Sequence, residues 1–224
     1  MIRKECEGQM QTNRNPRLVR IIQGVLILAA VVGVLEWRPS LVFVALATLG
    51  LTLTPRLFAR WIGVELPASF LVAIVFFLFA TLFLGEVFDF YERYFWWDIA
   101  LHFGSAMGFG LLGFLFIFML FAGDRYAAPP FAIAFLSFCV AIAIGATWEI
   151  FEFSMDQIFG FNMQKSGLVD TMYDLIIDTF GAALGALAGF FYLKGRQFGG
   201  LGAGIDQFVA LNRRLYRRMR KRQE

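Results

Sequence analysis

An all-α, polytopic membrane protein with six transmembrane helices is the fold class that three observations predict. Apolar residues make up 59% of the 224-residue chain, 28 of them Phe, and the mean hydropathy is +0.67. Such values belong to a chain whose solvent is largely lipid. Charged residues are only 17% of the total and are unevenly placed, most of them between apolar stretches. Lys and Arg are also distributed unevenly, which sets an orientation.

The elements follow in order. Residues 1–17 form a polar leader with Arg3, Lys4, Arg14 and Arg17 and lack the early apolar core of a cleavable signal peptide. The transmembrane domain is expected over 18–193. Its first span covers about 18–35 and stops at Glu36-Trp37-Arg38-Pro39. The second, about 40–54, is short for a bilayer and is followed by an interfacial helical turn at Arg56–Ile62. A third covers about 68–91, a fourth 98–121, a fifth 130–153 and a sixth 171–193. Tyr94-Phe95-Trp96-Trp97 reads as an interfacial aromatic belt. Pro129-Pro130 suits a helix start, where a missing N–H is tolerated. Cys6 and Cys139 lie in the leader and mid-span, a placement that predicts no disulfide.

With six spans, the leader, the 55–67 loop, the 122–129 loop and the tail share one side. That side receives 17 of the 20 basic residues, leaving Arg38, Arg93 and Lys165 for the other. The positive-inside bias therefore predicts cytoplasmic N- and C-termini. The segment 194–224 is a basic tail. Ile205, Phe208, Val209, Leu215, Tyr216 and Met219 recur near helical spacing, while Arg213, Arg214, Arg217 and Arg218 cover other faces. This pattern predicts an amphipathic helix on anionic membrane lipids or, more simply, a topology-setting charge cluster. The pI near 9.0 reflects these flanks, and no nucleic-acid partner is implied.

The acids carry the chemistry. Asp170, Asp174 and Asp178 follow one another at i, i+4 and i+8, so they share a face of the sixth helix. Gly181, Gly185 and Gly189 continue near that face and would admit a neighbouring helix closely, as would Gly104 and Gly108 on the fourth. Asp98 and His102 stand one turn apart, and Glu149, Glu152 and Asp156 share a face of the fifth helix. Together with Glu86, Asp89 and Glu92, this places ten of 17 carboxylates and the single His at the outer ends of four helices.

Helix capping accounts for Asp98 and Asp170, where a carboxylate opposes the positive dipole end. It does not account for acids at helix C-termini or within the spans. Arg93 and Lys165 are too few to neutralise them. A divalent cation (Mg2+, Mn2+ or Zn2+) among the carboxylates resolves this, and a protonated network or a structural hydrogen-bond network is the alternative. The expected ligands are Glu149, Glu152, Asp174 and Asp178. His102 and Asp98 are expected in catalysis, with Glu86, Asp89, Asp156 and Asp170 at the rim.

At these residues the chain resembles the YjdF family of bacterial inner-membrane proteins of unknown function. The matching text is Leu84-Gly85-Glu86, Phe90-Tyr91, Trp96 to His102, Trp148 to Phe153, and Asp170 to Gly185. A looser similarity is to VanZ-like membrane proteins, whose Asp-x-x-x-Asn-x-x-Gly-x-x-x-Gly helix matches Asp174, Gly181 and Gly185. Asp178 stands where that pattern has Asn, so the glycopeptide-resistance role of some VanZ-like proteins is not carried over. The resemblance implies six helices and an acidic site; it supplies no reaction.

The residues support three functional expectations. One is a metal-dependent hydrolase or transferase acting on a lipid-linked phosphate at the external face, with His102 relaying a proton. Another is a divalent-cation or proton transporter using the same acids. The last is a non-catalytic envelope or lipid-binding protein.

Overall fold

The computed structural model describes residues 16–121, 123–124, 128–196 and 198–220, and most of the leader lies outside them. The described residues are helical, with no strand, and six helices are long and apolar enough to cross a membrane. These are α1 (Arg17–Leu35), α2 (Pro39–Trp61), α3 (Ala68–Val87), α4 (Trp96–Leu120), α5 (Pro130–Phe159) and α6 (Leu168–Leu193). Two shorter helices follow, α7 (Gly199–Leu211) and α8 (Arg213–Arg220).

Several boundaries differ from expectation. The second span runs on to Trp61, with α-helix over Pro39–Leu51 and Thr54–Trp61. Pro55 has no N–H for the carbonyl four residues back, so the ladder breaks at 52–53 without ending the helix. There the Thr52 hydroxyl donates to the Leu49 carbonyl at 2.7 Å and the Thr54 hydroxyl to the Leu51 carbonyl at 2.8 Å. The third span ends at Val87, not near residue 91. It passes through a π-helical segment, Phe79–Leu84, before a last α turn at Gly85–Val87. Asp89 then takes a left-handed conformation (φ 55°) and starts a separate turn, Phe90–Arg93. The fifth helix continues six residues beyond the expected end and stops at Gly160, whose φ of 69° suits glycine. Its 30 residues span about 45 Å, more than a hydrocarbon core of about 30 Å needs.

The chain divides into two compact units, Met1–Phe95 with Gln207–Leu215, and Trp96–Asp206 with Tyr216–Glu224. In the first unit α1, α2 and α3 pack through ordinary side chains. Val19, Ile22, Leu26, Leu41, Ala45, Leu71, Val75 and Phe83 form a buried apolar cluster. Segment 207–215 belongs to this unit, where Phe208 stacks on Phe70 and the Asn212 amide brackets the backbone of Glu65.

The second unit brings backbones together instead. A Cβ on Gly185 would collide with the Met107 carbonyl and Leu111 N, and one on Gly110 with the Ala182 carbonyl. Gly181 and Gly189 are equally closed, against Phe103 and Phe114. The expected role of Gly104 and Gly108 is not found: a Cβ on either meets nothing within 4 Å. The packing glycines of α4 are Gly110 and Gly113, the latter against Ser137 of α5. They share a face with His102, whereas Gly104 and Gly108 do not. Tyr216 packs its ring on Phe118 and over Gly123, and burial holds its phenol above the ordinary tyrosine range. Of the apolar tail residues Ile205, Phe208 and Tyr216 are buried and Val209, Leu215 and Met219 half-buried, and the helix breaks at Asn212. Cys139 is a free thiol; Cys6 lies outside the described residues.

Candidate functional site

The polar cluster is built within the second unit from α4, α5 and α6. Asp98 lies in the first turn of α4, and the next turn of the same face carries His102. On α6 the four-residue spacing buries Asp174 and Asp178 and leaves Asp170, in the first turn, half-buried. On α5 the buried acid is Glu149.

His102 stands between two sets of carboxylates. Its Nε2 faces Asp98 Oδ1 at 3.9 Å. Its Nδ1 faces Asp178 Oδ1 at 3.3 Å and Glu149 Oε1 at 4.0 Å. One ligand atom each from Asp98, His102 and Asp174 lie within 4.8 Å of one another. That spacing could hold one cation with three protein donors, oxygen, nitrogen and oxygen, and leave coordination positions open.

Three carboxylate oxygens of this cluster are buried without a geometrically complete hydrogen bond among the described residues: both of Glu149 and Oδ1 of Asp178. Glu149 is 4% exposed and Asp178 2%. Isolated buried carboxylates are strongly unfavourable, so this donor set fits a cation or protons better than a purely structural network.

The other expected site residues have separate places. Glu152 is half-buried and accepts a hydrogen bond from Trp148 Nε1 at 2.9 Å. Asp156 is occupied by the α5–α6 connection: its carboxylate accepts the Met163 N–H at 2.7 Å and the Gln164 N–H at 2.9 Å. Gln164 Nε2 in turn donates to Thr171 on α6. Glu86 and Asp89 belong to the first unit, where exposed Asp89 lies 3.9 Å from Arg93.

Sequence reasoning missed Gly145. A Cβ there would collide with Asp178 Oδ2, so the glycine gives the carboxylate a socket in the α5 backbone. The signal was available, since Gly145 lies one turn before Glu149 on the same face. The direction of the two imidazole nitrogens had no such signal.

Below the acids the packing is apolar. Ala106, Ala141 and Ala182 form a buried cluster, followed by the Gly110–Gly185 contact and the rings of Phe114 and Phe118. Buried Ser137 donates within its own helix to the Ile133 carbonyl at 2.6 Å.

The family described as "Predicted membrane protein (DUF2238)" matches residues 18–195, the whole six-helix region. An uncharacterized protein of Thermotoga maritima is 35% identical over 99 residues, covering 44% of this chain and 50% of the relative. The chain thus matches about half the length of that relative. No solved structure matches. The VanZ-like similarity gains no support from these matches, whereas the YjdF resemblance does. With most of its length under that model, and six helices long enough to span a bilayer, the chain belongs to the DUF2238 (YjdF) family of multi-pass membrane proteins.

Proposed function

We propose that this protein is a divalent-cation-dependent membrane enzyme, a hydrolase or transferase acting on a lipid-linked phosphate. The observation that carries the reading is the two-sided setting of His102. Asp98 faces Nε2 and groups with Asp174 around the imidazole, and Asp178 and Glu149 face Nδ1. Asp98, Asp174 and His102 Nε2 would hold the cation, and Asp178 would accept the Nδ1 proton and keep the ring oriented. This revises the ligand set expected from sequence, moving Glu149 and Asp178 from ligands to partners of the imidazole. The cation would screen phosphate oxygens from the acids and polarise phosphorus. Glu149, buried and facing His102, is the group available to accept a proton from an attacking hydroxyl or water.

A transporter needs a polar continuation past Asp178. The alanine cluster and the glycine backbone contacts that follow weigh against one within this unit. The charge distribution supports an opening on the external or periplasmic face.

Equilibrium dialysis of the purified protein against Mg2+, Mn2+ or Zn2+ tests the centre. Binding of one ion that is lost in Asp174→Asn and His102→Ala, but kept in Glu86→Gln, supports it. Equal binding in all variants, or none in the wild type, rejects it. Phosphate release from a polyprenyl phosphate in liposomes, dependent on the ion and on Glu149, tests the reaction. Metal binding without such release would leave the centre standing and remove the enzymatic reading.

A further inference from the structure

The connection between α5 and α6 lies within the second unit and is bonded to both helices. It runs from Gly160 to Gly167, both at positive φ (69° and 65°). Asp156, in the last turn of α5, accepts the Met163 N–H at 2.7 Å and the Gln164 N–H at 2.9 Å. Asp170, in the first turn of α6, accepts the backbone N–H of Lys165. With its backbone held in this way, Gln164 extends its amide to Thr171 on α6, Nε2 to Oγ1 at 2.5 Å.

A hydroxyl that accepts from an amide can still donate its own hydrogen. The carboxylate beside the Thr171 hydroxyl is that of Glu149. Two further observations put these side chains on facing surfaces. Thr171 lies one and two turns before Asp174 and Asp178 and shares their face of α6. Glu149 lies one turn after Gly145, whose backbone receives Asp178 Oδ2. Asp156 in turn lies two turns after Glu149 on the same face of α5. The polar contacts therefore run from α5 through the connection to α6 and back to α5. A closed path of this kind fixes a side chain against its own helix, which one contact would not do. The Thr171–Glu149 contact falls short of full hydrogen-bond geometry. Catalytic bonds of this kind align once substrate is seated.

We infer that Thr171 is a positioning residue for Glu149, through which the α5–α6 connection sets the direction that carboxylate faces. The inference rests on the enzymatic reading above, in which Glu149 takes the proton of the attacking hydroxyl or water. A base must stay within hydrogen-bond reach of that proton, and a displacement of about 1 Å costs on the order of 100-fold in rate. The cation is assigned to Asp98, Asp174 and His102, so ion binding and the placing of the base are separable.

Two measurements on the full chain in liposomes test the role. The infrared carboxyl band of Glu149, identified as the one lost in Glu149→Gln, is expected to shift in Thr171→Val, where a methyl replaces the hydroxyl, and to return in Thr171→Ser. Hydrolysis of a polyprenyl phosphate is expected to lose about 10–100-fold in kcat in Thr171→Val, with KM little changed, and to recover in Thr171→Ser. Equilibrium dialysis should find the wild-type ion affinity in both. Thr179→Val removes another α6 hydroxyl, exposed and bonded to the Leu175 carbonyl of its own helix, and is expected to behave as the wild type. An unmoved band in Thr171→Val overturns the contact. A moved band with unchanged kcat overturns the positioning role and leaves the enzymatic reading intact. Loss of ion binding together with kcat would mark a general structural defect and also overturns the role. A wild type that releases no phosphate removes the enzymatic reading itself, and this role of Thr171 with it. If Thr171→Val does not fold, Gln164→Leu, which removes the amide holding the hydroxyl, is expected to shift the band and lower kcat in the same way, and no change there counts against Thr171.

Discussion

The two units of this membrane protein pack by different means. In α1–α3 the helices meet mainly through Leu, Val and Phe side chains; Gly33 admits α2 at Val42, while Gly24 and Gly50 touch nothing. In α4–α6 glycines close the distance until backbone meets backbone, and α4 and α6 are the most buried of the six spans. Lipid tails compete well for Leu and Phe, so large side chains alone hold membrane helices loosely. Close small-residue contacts supply dispersion over a long seam and leave no room for water beneath. The acids sit at the end of that seam, where three backbones are already fixed. Chemistry placed on α1–α3 would lack this rigid base.

The sharpest way to break the comparison is a large side chain in each kind of interface. Gly185→Leu should abolish folding of the second unit, since overpacking costs about 1–3 kcal/mol even where side chains can yield, and here the obstacles are backbone atoms. Gly24→Leu, in open space, should change stability by no more than about 0.5 kcal/mol. Thermal unfolding in detergent distinguishes them, and equal losses would show that close packing is not special to α4–α6. Next in size is the polar cluster. Asp178→Asn keeps the shape but replaces a charge-assisted partner of Nδ1, and should weaken metal binding about 10–100-fold. Asp89→Asn in the first unit should leave it unchanged, both read by dialysis.

Asp156→Asn should lower stability by about 1–3 kcal/mol, because two backbone N–H groups lose a carboxylate acceptor. Hydrogen exchange at Met163 and Gln164 should rise with it. The smallest expected change is Gly104→Ala, which should be neutral or stabilising by up to about 1 kcal/mol in unfolding assays, as a helical glycine with free space.

How much of this was legible depended on whether a polar residue marked the relevant face. The run Asp170, Asp174, Asp178 and the pair Asp98, His102 declared their faces by spacing alone, and the structure groups residues from both. In the apolar remainder of α4 the wheel has no such marker, so Gly104 and Gly108 looked as suitable as Gly110. Counting from His102 would have chosen Gly110 and Gly113. In α3 the π-helical segment at 79–84 adds residues to the turn, so angles computed on a regular α-helix no longer apply to Glu86 and Asp89. The Asn212–Glu65 bracket joins residues 147 positions apart, and no local pattern announces it. The Arg and Lys rows were legible as charge but not as charge on an anchored helix.

Gly145 carries one more consequence. Because Asp178 Oδ2 fills the volume a side chain would take, the position of that carboxylate and the separation of α5 from α6 are a single variable. Any ligand that draws Asp178 toward itself must also let those helices settle closer or part. A pair of spin labels on the exposed faces of α5 and α6 would then report occupancy as a distance, without a known substrate.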